Sequence, residues 1–153
     1  MHRVHFFRED TNFLPNNITT LQKWIAQLVE TEGYALEELN YIFCSDTHLH
    51  KINMEFLKHD TYTDVITFDQ SEEPNLIEGD VFISIDRLRE NALSFKVPLE
   101  EEMQRVMVHG VLHLMGYKDK TEEEVAQMRA KEKECLEIYK EHFWMFHYFG
   151  DNA

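Results

Sequence analysis

The sequence predicts one domain, over residues 1–153, that contains both strands and helices and ends in an almost wholly helical third. Two observations support this prediction. Short β-branched and aromatic runs alternate with amphipathic stretches before Pro98, and after it apolar residues recur at helical spacing. The chain is 43% hydrophobic and 29% charged, with 5 glycines and 3 prolines, which is typical of a globular protein that folds without disulfides.

A strand, a helix and a second strand are predicted in the N-terminal part. Residues 2–7 form a short strand-like run. Asn16 or Asn17 can cap a helix over residues 18–32, because apolar residues follow at helical spacing and a glycine is placed to end it. The apolar stripe of this helix consists of Leu21, Trp24, Ile25 and Leu28. Residues 39–44 are the second strand-like run.

The middle of the chain predicts a helix, two strands and another helix. Ser45 or Asp46 can cap the first of these helices. The two β-rich runs that follow are candidates for neighbouring strands, because a turn-rich link over residues 72–79 joins them. The predicted strands are residues 65–68 and 81–85, and the second helix is residues 86–95.

The C-terminal third is predicted to hold two long helices. The first has Pro98 in its first turn and ends at Gly116. The second begins with a capping box, in which Thr121 is the cap and Glu124 bonds back to its amide. Its glutamates and lysines are interpreted as a solvated face. The aromatic tail, about residues 143–153, is expected to pack over the core or over a neighbouring subunit.

The charge balance argues against a nucleic-acid partner. Lysine and arginine number 15 against 29 aspartates and glutamates, a net charge of −14, whereas most nucleic-acid binders show a basic footprint. The two cysteines, Cys44 and Cys135, are expected to be buried thiols in a reducing compartment. No apolar run reaches the length of a signal peptide or a membrane span, so we expect a cytoplasmic protein without a membrane partner.

The pattern that carries chemistry is a pair of histidines inside a predicted helix. His109 and His113 are four residues apart, which places both imidazoles on one helix face, about 6 Å apart along the axis. Asp119 follows the helix end at Gly116 and can turn back as a third ligand, leaving a tetrahedral position for water. Two histidines four residues apart often lie on a helix surface without binding metal. Here the neighbouring residues are apolar, so an imidazole without a partner would cost folding free energy. We therefore predict one divalent ion, held by these three residues with water in the open position.

Three segments carry a family resemblance. They are Asn53-Met54-Glu55-Phe56 with Asp60 and Thr63-Asp64-Val65-Ile66-Thr67-Phe68, then Gly79-Asp80-Val81-Phe82-Ile83-Ser84, and finally His109-Gly110-Val111-Leu112-His113-Leu114-Met115-Gly116-Tyr117. Over roughly residues 35–140 the chain resembles the YbeY family, metal-dependent endoribonucleases of bacterial ribosomal RNA maturation. The resemblance implies an α+β fold related to the zinc peptidases, with a small mixed sheet flanked by helices and the metal-binding helix near the C-terminal third.

The resemblance also implies a function. It indicates a single-strand-specific endoribonuclease in ribosomal RNA processing and ribosome quality control, with the small ribosomal subunit as partner and no DNA substrate. The ion would polarise a phosphate oxygen and deliver hydroxide. Two other classes stay open: a non-catalytic ribosome-assembly factor with a structural metal, and a metallopeptidase. The second is weakened because Gly110 stands where a His-Glu-x-x-His helix carries its general base.

The chain departs from the family pattern at two positions. Asp119 stands where the family usually has a third histidine, and its negative charge and hard oxygen make manganese more competitive with zinc, the expected ion. Leu57 stands where the family usually has an arginine thought to face the substrate. The adjacent Lys58 could supply the charge, but as a point charge and not as a bidentate fork.

Three residues near these motifs are candidate substrate contacts: Lys58, His59 and Asp64. Asp64 and Asp80 could also orient a ligand histidine or accept a proton. An aspartate after threonine or glycine is as often a turn residue, so this second role stays an alternative.

Overall fold

The computed structural model describes residues 3–143, in which four strands form one mixed sheet packed with five helices. The strands are β1 (Val4–Arg8), β2 (Ala35–Cys44), β3 (Val65–Asp69) and β4 (Leu76–Ser84). The helices are α1 (Ile18–Thr31), α2 (Asp46–Leu57), α3 (Ile85–Phe95), α4 (Leu99–Leu114) and α5 (Glu122–His142). This arrangement confirms the expected α+β class with a small mixed sheet and a metal-helix candidate in the C-terminal third.

The strand order is β1-β2-β4-β3. The strands β1, β2 and β4 are parallel, whereas β3 runs antiparallel to β4 and forms one edge of the sheet. Alternating side chains of β4 point to opposite faces, so Ile77, Val81 and Ile83 join a large core with α1, α4 and α5. Phe82 packs instead with a small cluster under α2. The sheet therefore has helices on both faces, and its β3 edge lies where the two groups of helices meet.

The helix α4 packs very close to the sheet. Its residue Gly110 faces Val81, and a Cβ built at this glycine would lie 2.6 Å from the Cγ1 of Val81 and 3.5 Å from the Cγ2 of Thr67. Because those neighbours are well-packed core and edge-strand side chains, only glycine fits without moving the helix. Gly110 thus sets the distance between α4 and the edge of the sheet.

Two strands are longer than the sequence predicted. β2 begins at Ala35 and not at Leu39, and β4 begins at Leu76, inside the link that we expected to be a turn. The two strands pair in parallel along this added length, from Ala35 opposite Leu76 onwards. The polar residues of this part hide the alternation that marks a half-buried strand, so only the pairing partner reveals it.

The helix caps were mostly predicted correctly. The Ser45 hydroxyl accepts from the backbone N–H of His48, and Thr121 forms the expected capping box. Asn17 occupies the cap position of α1 but makes no side-chain capping bond, since its amide donates to the hydroxyl of Tyr139 at 2.6 Å. Pro98 is the cap of α4 and precedes its first turn.

The solvated face expected for α5 is wrong at one residue. Glu132 is only 2% exposed. It lies at helical spacing from Met128 and Cys135, which are also buried, so it belongs to the face that packs on α4. Its buried carboxylate is paired within the protein, as the metal centre described below shows.

Both cysteines are buried and free, as predicted. Over residues 3–143, none of the helices combines the length and the apolar composition needed to cross a membrane. Phe143 is buried and stacks on Tyr139. The rest of the aromatic tail, residues 144–153, lies outside the described residues.

Candidate metal centre

The three predicted ligands meet at one point of the fold. His109 and His113 are one turn apart on α4, and their Nε2 atoms lie 3.0 Å from each other. Gly116 adopts a left-handed backbone, with φ of +96°, which ends the helix and turns the chain back. Asp119 then places its Oδ2 3.3 Å from the Nε2 of each histidine. The result is a small triangle of two imidazole nitrogens and one carboxylate oxygen.

The dimensions of this triangle fit a metal ion. A tetrahedral site with metal–ligand distances of about 2.0 to 2.1 Å has ligand atoms about 3.3 Å apart. The observed separations of 3.0 and 3.3 Å match that spacing. Two imidazoles and a carboxylate are donors that both zinc and manganese accept. His109, His113 and Asp119 can therefore hold a divalent ion, which would leave the fourth tetrahedral position to a small ligand.

The turn that carries Asp119 is anchored to two other helices. The Tyr117 hydroxyl donates to the Oε1 of Glu32 at 2.7 Å, and Lys131 of α5 pairs with the other oxygen of Glu32 at 3.0 Å. Burial and the neighbouring carboxylate raise the pKa of Tyr117 to about 12, so it stays a hydroxyl donor. The Tyr34 hydroxyl also donates to the carbonyl of Met115. These bonds hold the third ligand in place although it comes from a turn.

Each ligand histidine is also held through its second ring nitrogen. The Nδ1 of His113 lies 3.0 Å from the carbonyl of Tyr117, and the Nδ1 of His109 lies 2.7 Å from the Oε2 of Glu132. Glu132 was not predicted from the sequence as a residue of this site. Its signal was a glutamate on the apolar face of α5, spaced four residues from Met128 and three from Cys135.

The ligand group opens into a cleft of about 380 Å³ between α4 and the segment that joins α2 to β3. The lining residues are Asn53, Leu57, His59, Thr61, Thr63, Asp64, Val65, Ile66, Thr67, His109, His113 and Asp119. Of the predicted substrate contacts, His59 and Asp64 line the cleft. Lys58 is not among the lining residues; it is the exposed C-cap of α2 and has a left-handed backbone, with φ of +60°.

The two aspartates considered as partners of the histidines have other partners. Asp64 lies 3.7 Å from Arg105 and accepts from the amide of Asn91 at 3.3 Å. Asp80 accepts from the side-chain amides of Asn40 and Gln70. The idea that Asp80 orients a ligand histidine is therefore wrong, since Glu132 and a backbone carbonyl do this instead.

The far wall of the cleft depends on one buried amide. Asn53 is 3% exposed, and its Nδ2 donates to the carbonyl of Thr61 at 2.8 Å and to its hydroxyl at 3.2 Å. The carbonyl of Asn53 accepts from the backbone N–H of His59. The segment 58–61 is thus tied to the last turn of α2.

Comparison with known proteins agrees with this site. A family model described as Endoribonuclease YbeY matches residues 6–140. A relative named Endoribonuclease YbeY from Cytophaga hutchinsonii is 48% identical over 90% of this chain and 96% of its own, and one of the same name from Flavobacterium psychrophilum is 47% identical over 87% and 94%.

A solved structure shares the architecture. The solution structure of TM1509 from Thermotoga maritima aligns with a TM-score of 0.63 and 26% identity, covering 90% of each chain. The family match runs from within β1 to most of α5 and includes His109, His113 and Asp119. The chain therefore belongs to the YbeY family.

Proposed function

We propose that this protein is a metal-dependent endoribonuclease that cuts single-stranded RNA during ribosomal RNA maturation and ribosome quality control. The observation that carries the proposal is the triangle of His109, His113 and Asp119 at the base of a cleft, in a chain whose relatives are named endoribonucleases. We further propose ribosomal RNA of the small subunit as the substrate and one catalytic domain over residues 1–153. The buried thiols of Cys44 and Cys135 favour a cytoplasmic location.

In this proposal His109, His113 and Asp119 hold the ion, which we expect to be zinc, with manganese as the competitor that a carboxylate ligand favours. A bound divalent ion supplies Lewis acidity to a phosphate oxygen and activates water for attack at phosphorus. The surrounding residues hold the three donor atoms at the spacing that an ion requires. The fourth coordination position then faces the cleft. The scissile phosphate would lie at this open position.

The cleft itself supplies little positive charge. Among residues 3–143, those that line it include no lysine or arginine, and two of them, Asp64 and Asp119, are acidic. In a protein of net charge −14, attraction for a phosphate must then come mainly from the ion, with Lys58 and His59 as the proposed flanking contacts. We therefore expect RNA binding, and not only cleavage, to require the metal.

The metallopeptidase alternative is disfavoured by packing. The general base of a His-Glu-x-x-His helix would stand at position 110, where a Cβ would lie 2.6 Å from Val81. This position faces the sheet and not the cleft, so no base fits there.

The structural-metal alternative is disfavoured by the ligand set. Structural zinc sites are usually closed by four protein ligands. Among residues 3–143, His109, His113 and Asp119 form a group of three, and that group faces a cleft.

The decisive experiment incubates the purified full chain with labelled ribosomal RNA and with casein, each with and without a chelator. We expect cleavage of RNA only, loss of cleavage with chelator, and recovery when Zn²⁺ or Mn²⁺ is restored. The matched variants are His113→Ala, which removes a ligand, and His142→Ala, which removes an exposed histidine of α5. Cleavage of casein, or RNA cleavage that survives both chelator and His113→Ala, would reject the proposal.

A further inference from the structure

Glu132 touches the ligand group without being a ligand. It lies on α5, 2% exposed, and its Oε2 is 2.7 Å from the Nδ1 of His109. Removing a carboxylate from water costs several kcal/mol unless charged partners and hydrogen bonds compensate it. The nitrogen that it contacts is the one that faces away from the donor triangle, because the Nε2 of His109 is the atom beside His113 and Asp119.

This contact decides which nitrogen of His109 is free to bind an ion. A carboxylate offers only lone pairs, so the Nδ1 of His109 must carry a hydrogen and donate it. The neutral ring then keeps its lone pair on Nε2, the atom that lies 3.3 Å from the Oδ2 of Asp119. Without an acceptor at Nδ1, the proton can reside on Nε2, and that tautomer cannot ligate through Nε2.

The carboxylate is in turn fixed by arginine. Arg105 of α4 donates from its Nη1 to the Oε1 of Glu132 at 3.2 Å, and Arg129 donates to the same oxygen at 3.2 Å. Arg105 also donates two hydrogen bonds to the buried carboxylate of Glu102, from Nε at 2.9 Å and from Nη2 at 2.7 Å. Each oxygen of Glu132 therefore has its own partner, one on the histidine and one on the guanidinium groups.

The charges of this network favour a cation at His109. Three carboxylates, Glu102, Glu132 and Asp64, share two guanidinium groups, Arg105 and Arg129. The carboxylate of Glu132, which contacts His109, thus favours positive charge at the ligand group.

The second histidine provides an internal contrast. His113 is oriented by a backbone carbonyl, that of Tyr117, at 3.0 Å. A carbonyl carries no net charge and cannot be removed by substitution. Only His109 is coupled to a buried charge from another helix.

We propose that Glu132 is a positioning residue of the metal centre: it fixes His109 in the tautomer whose Nε2 faces the ion, and Arg105 holds Glu132 in place for this task. The inference rests on the proposed metal site and does not depend on which bond the enzyme cuts. Outer partners of ligand histidines commonly contribute about 10- to 100-fold to metal affinity.

The test measures Zn²⁺ affinity of the metal-free full chain by competition with a chromophoric chelator. Glu132→Gln removes the charge and keeps the shape, and Glu137→Gln is the control, because Glu137 is exposed on the same helix. We expect Glu132→Gln to weaken Zn²⁺ binding by about 10- to 100-fold and the control to leave it unchanged.

A second measurement needs no variant. Nitrogen NMR of the metal-free wild-type protein reports which His109 nitrogen carries the proton, and we expect Nδ1. An unchanged affinity in Glu132→Gln, or a proton on Nε2 in the wild type, would overturn the proposal. Wild-type protein that binds no Zn²⁺ would refute the metal site itself, and the NMR result would then still decide whether Glu132 sets the tautomer.

Discussion

The two walls of the cleft differ in how deeply their side chains are buried and in how their polar groups are paired. The inner wall consists of α4 and Asp119 of the turn that follows it, and Glu132 of α5, which contacts His109 from outside the cleft, is 2% exposed. The outer wall is the segment 57–67, where Leu57 is 39% exposed and Tyr62 is 53% exposed. Charged side chains satisfy the buried polar groups behind the inner wall, whereas the side-chain amide and the backbone carbonyl of Asn53 tie the outer wall to α2.

This difference follows from what each wall must do. Metal ligands have to stay within a few tenths of an ångström of a fixed geometry, which requires packed elements and outer partners. A wall that meets a polymer of varied sequence needs exposed side chains and backbone groups. Substitutions should therefore affect metal binding strongly at the inner wall and substrate binding at the outer one.

The largest effect is expected from Gly110→Ala. The added methyl meets Val81 at 2.6 Å, so α4 must move away from the sheet. Overpacking of this kind costs about 1 to 3 kcal/mol of unfolding free energy, and the shift of α4 should also weaken metal binding. Denaturant unfolding and Zn²⁺ titration measure the two effects.

Gly33→Ala is the control for this prediction. Gly33 has φ of +87°, and a Cβ built there meets none of the described residues within 4 Å, so alanine adds backbone strain of about 1 to 2 kcal/mol without moving a helix. Its metal affinity should equal that of the wild type. A Gly110→Ala protein with normal stability would show that close packing of α4 is not required.

The next effect concerns the ligand that comes from the turn. Asp119→Ala leaves two histidines and should weaken Zn²⁺ binding by more than about 100-fold, beyond the loss typical of an outer partner. Asp119→His restores a three-imidazole set with one negative charge fewer, and should raise cleavage near neutral pH and the preference for Zn²⁺ over Mn²⁺.

Competition titrations with both ions, together with cleavage rates across pH, check this prediction. If Asp119→Ala binds Zn²⁺ as tightly as the wild type, Asp119 is not a ligand. If Asp119→His gains neither affinity nor rate, the charge at the ion does not limit the reaction.

A smaller effect is expected at the outer wall, from Asn53→Ala. This change removes both bonds to Thr61 and leaves a partly buried carbonyl without its donor, at a cost of about 1 to 3 kcal/mol. We expect the KM for RNA to rise while Zn²⁺ affinity stays unchanged. Thr61→Val is the milder companion, because it removes only the 3.2 Å contact. A loss of metal affinity in Asn53→Ala would contradict the division between the walls.

The smallest effect is expected from Lys58→Gly. Glycine relieves the left-handed backbone at this position, so unfolding free energy should change by less than about 1 kcal/mol. Loss of the exposed charge should raise the KM for RNA modestly and reduce its salt dependence. A KM that matches the wild type at low salt would remove Lys58 from the proposed substrate contacts.

The sequence by itself determined those features that depend on short spacing. A separation of four residues places His109 and His113 on one face of any helix, and Gly116 permits the turn that returns Asp119 to them. The capping box at Thr121 is equally local. The small mixed sheet flanked by helices came from the family resemblance and not from spacing.

Only the tertiary structure decided the features that join distant segments. From the sequence, Glu132 was assigned to a solvated face of α5, but α5 packs on α4 and places Glu132 against His109. The first half of β2 is a strand because it pairs with β4. From the sequence, Gly110 indicated only that the general base of a peptidase is absent. In the structure it is the residue at which α4 comes closest to the sheet. The reason is physical: local spacing fixes which side chains share a face, whereas the partner of a buried charge or an unpaired strand is chosen by packing across the whole chain.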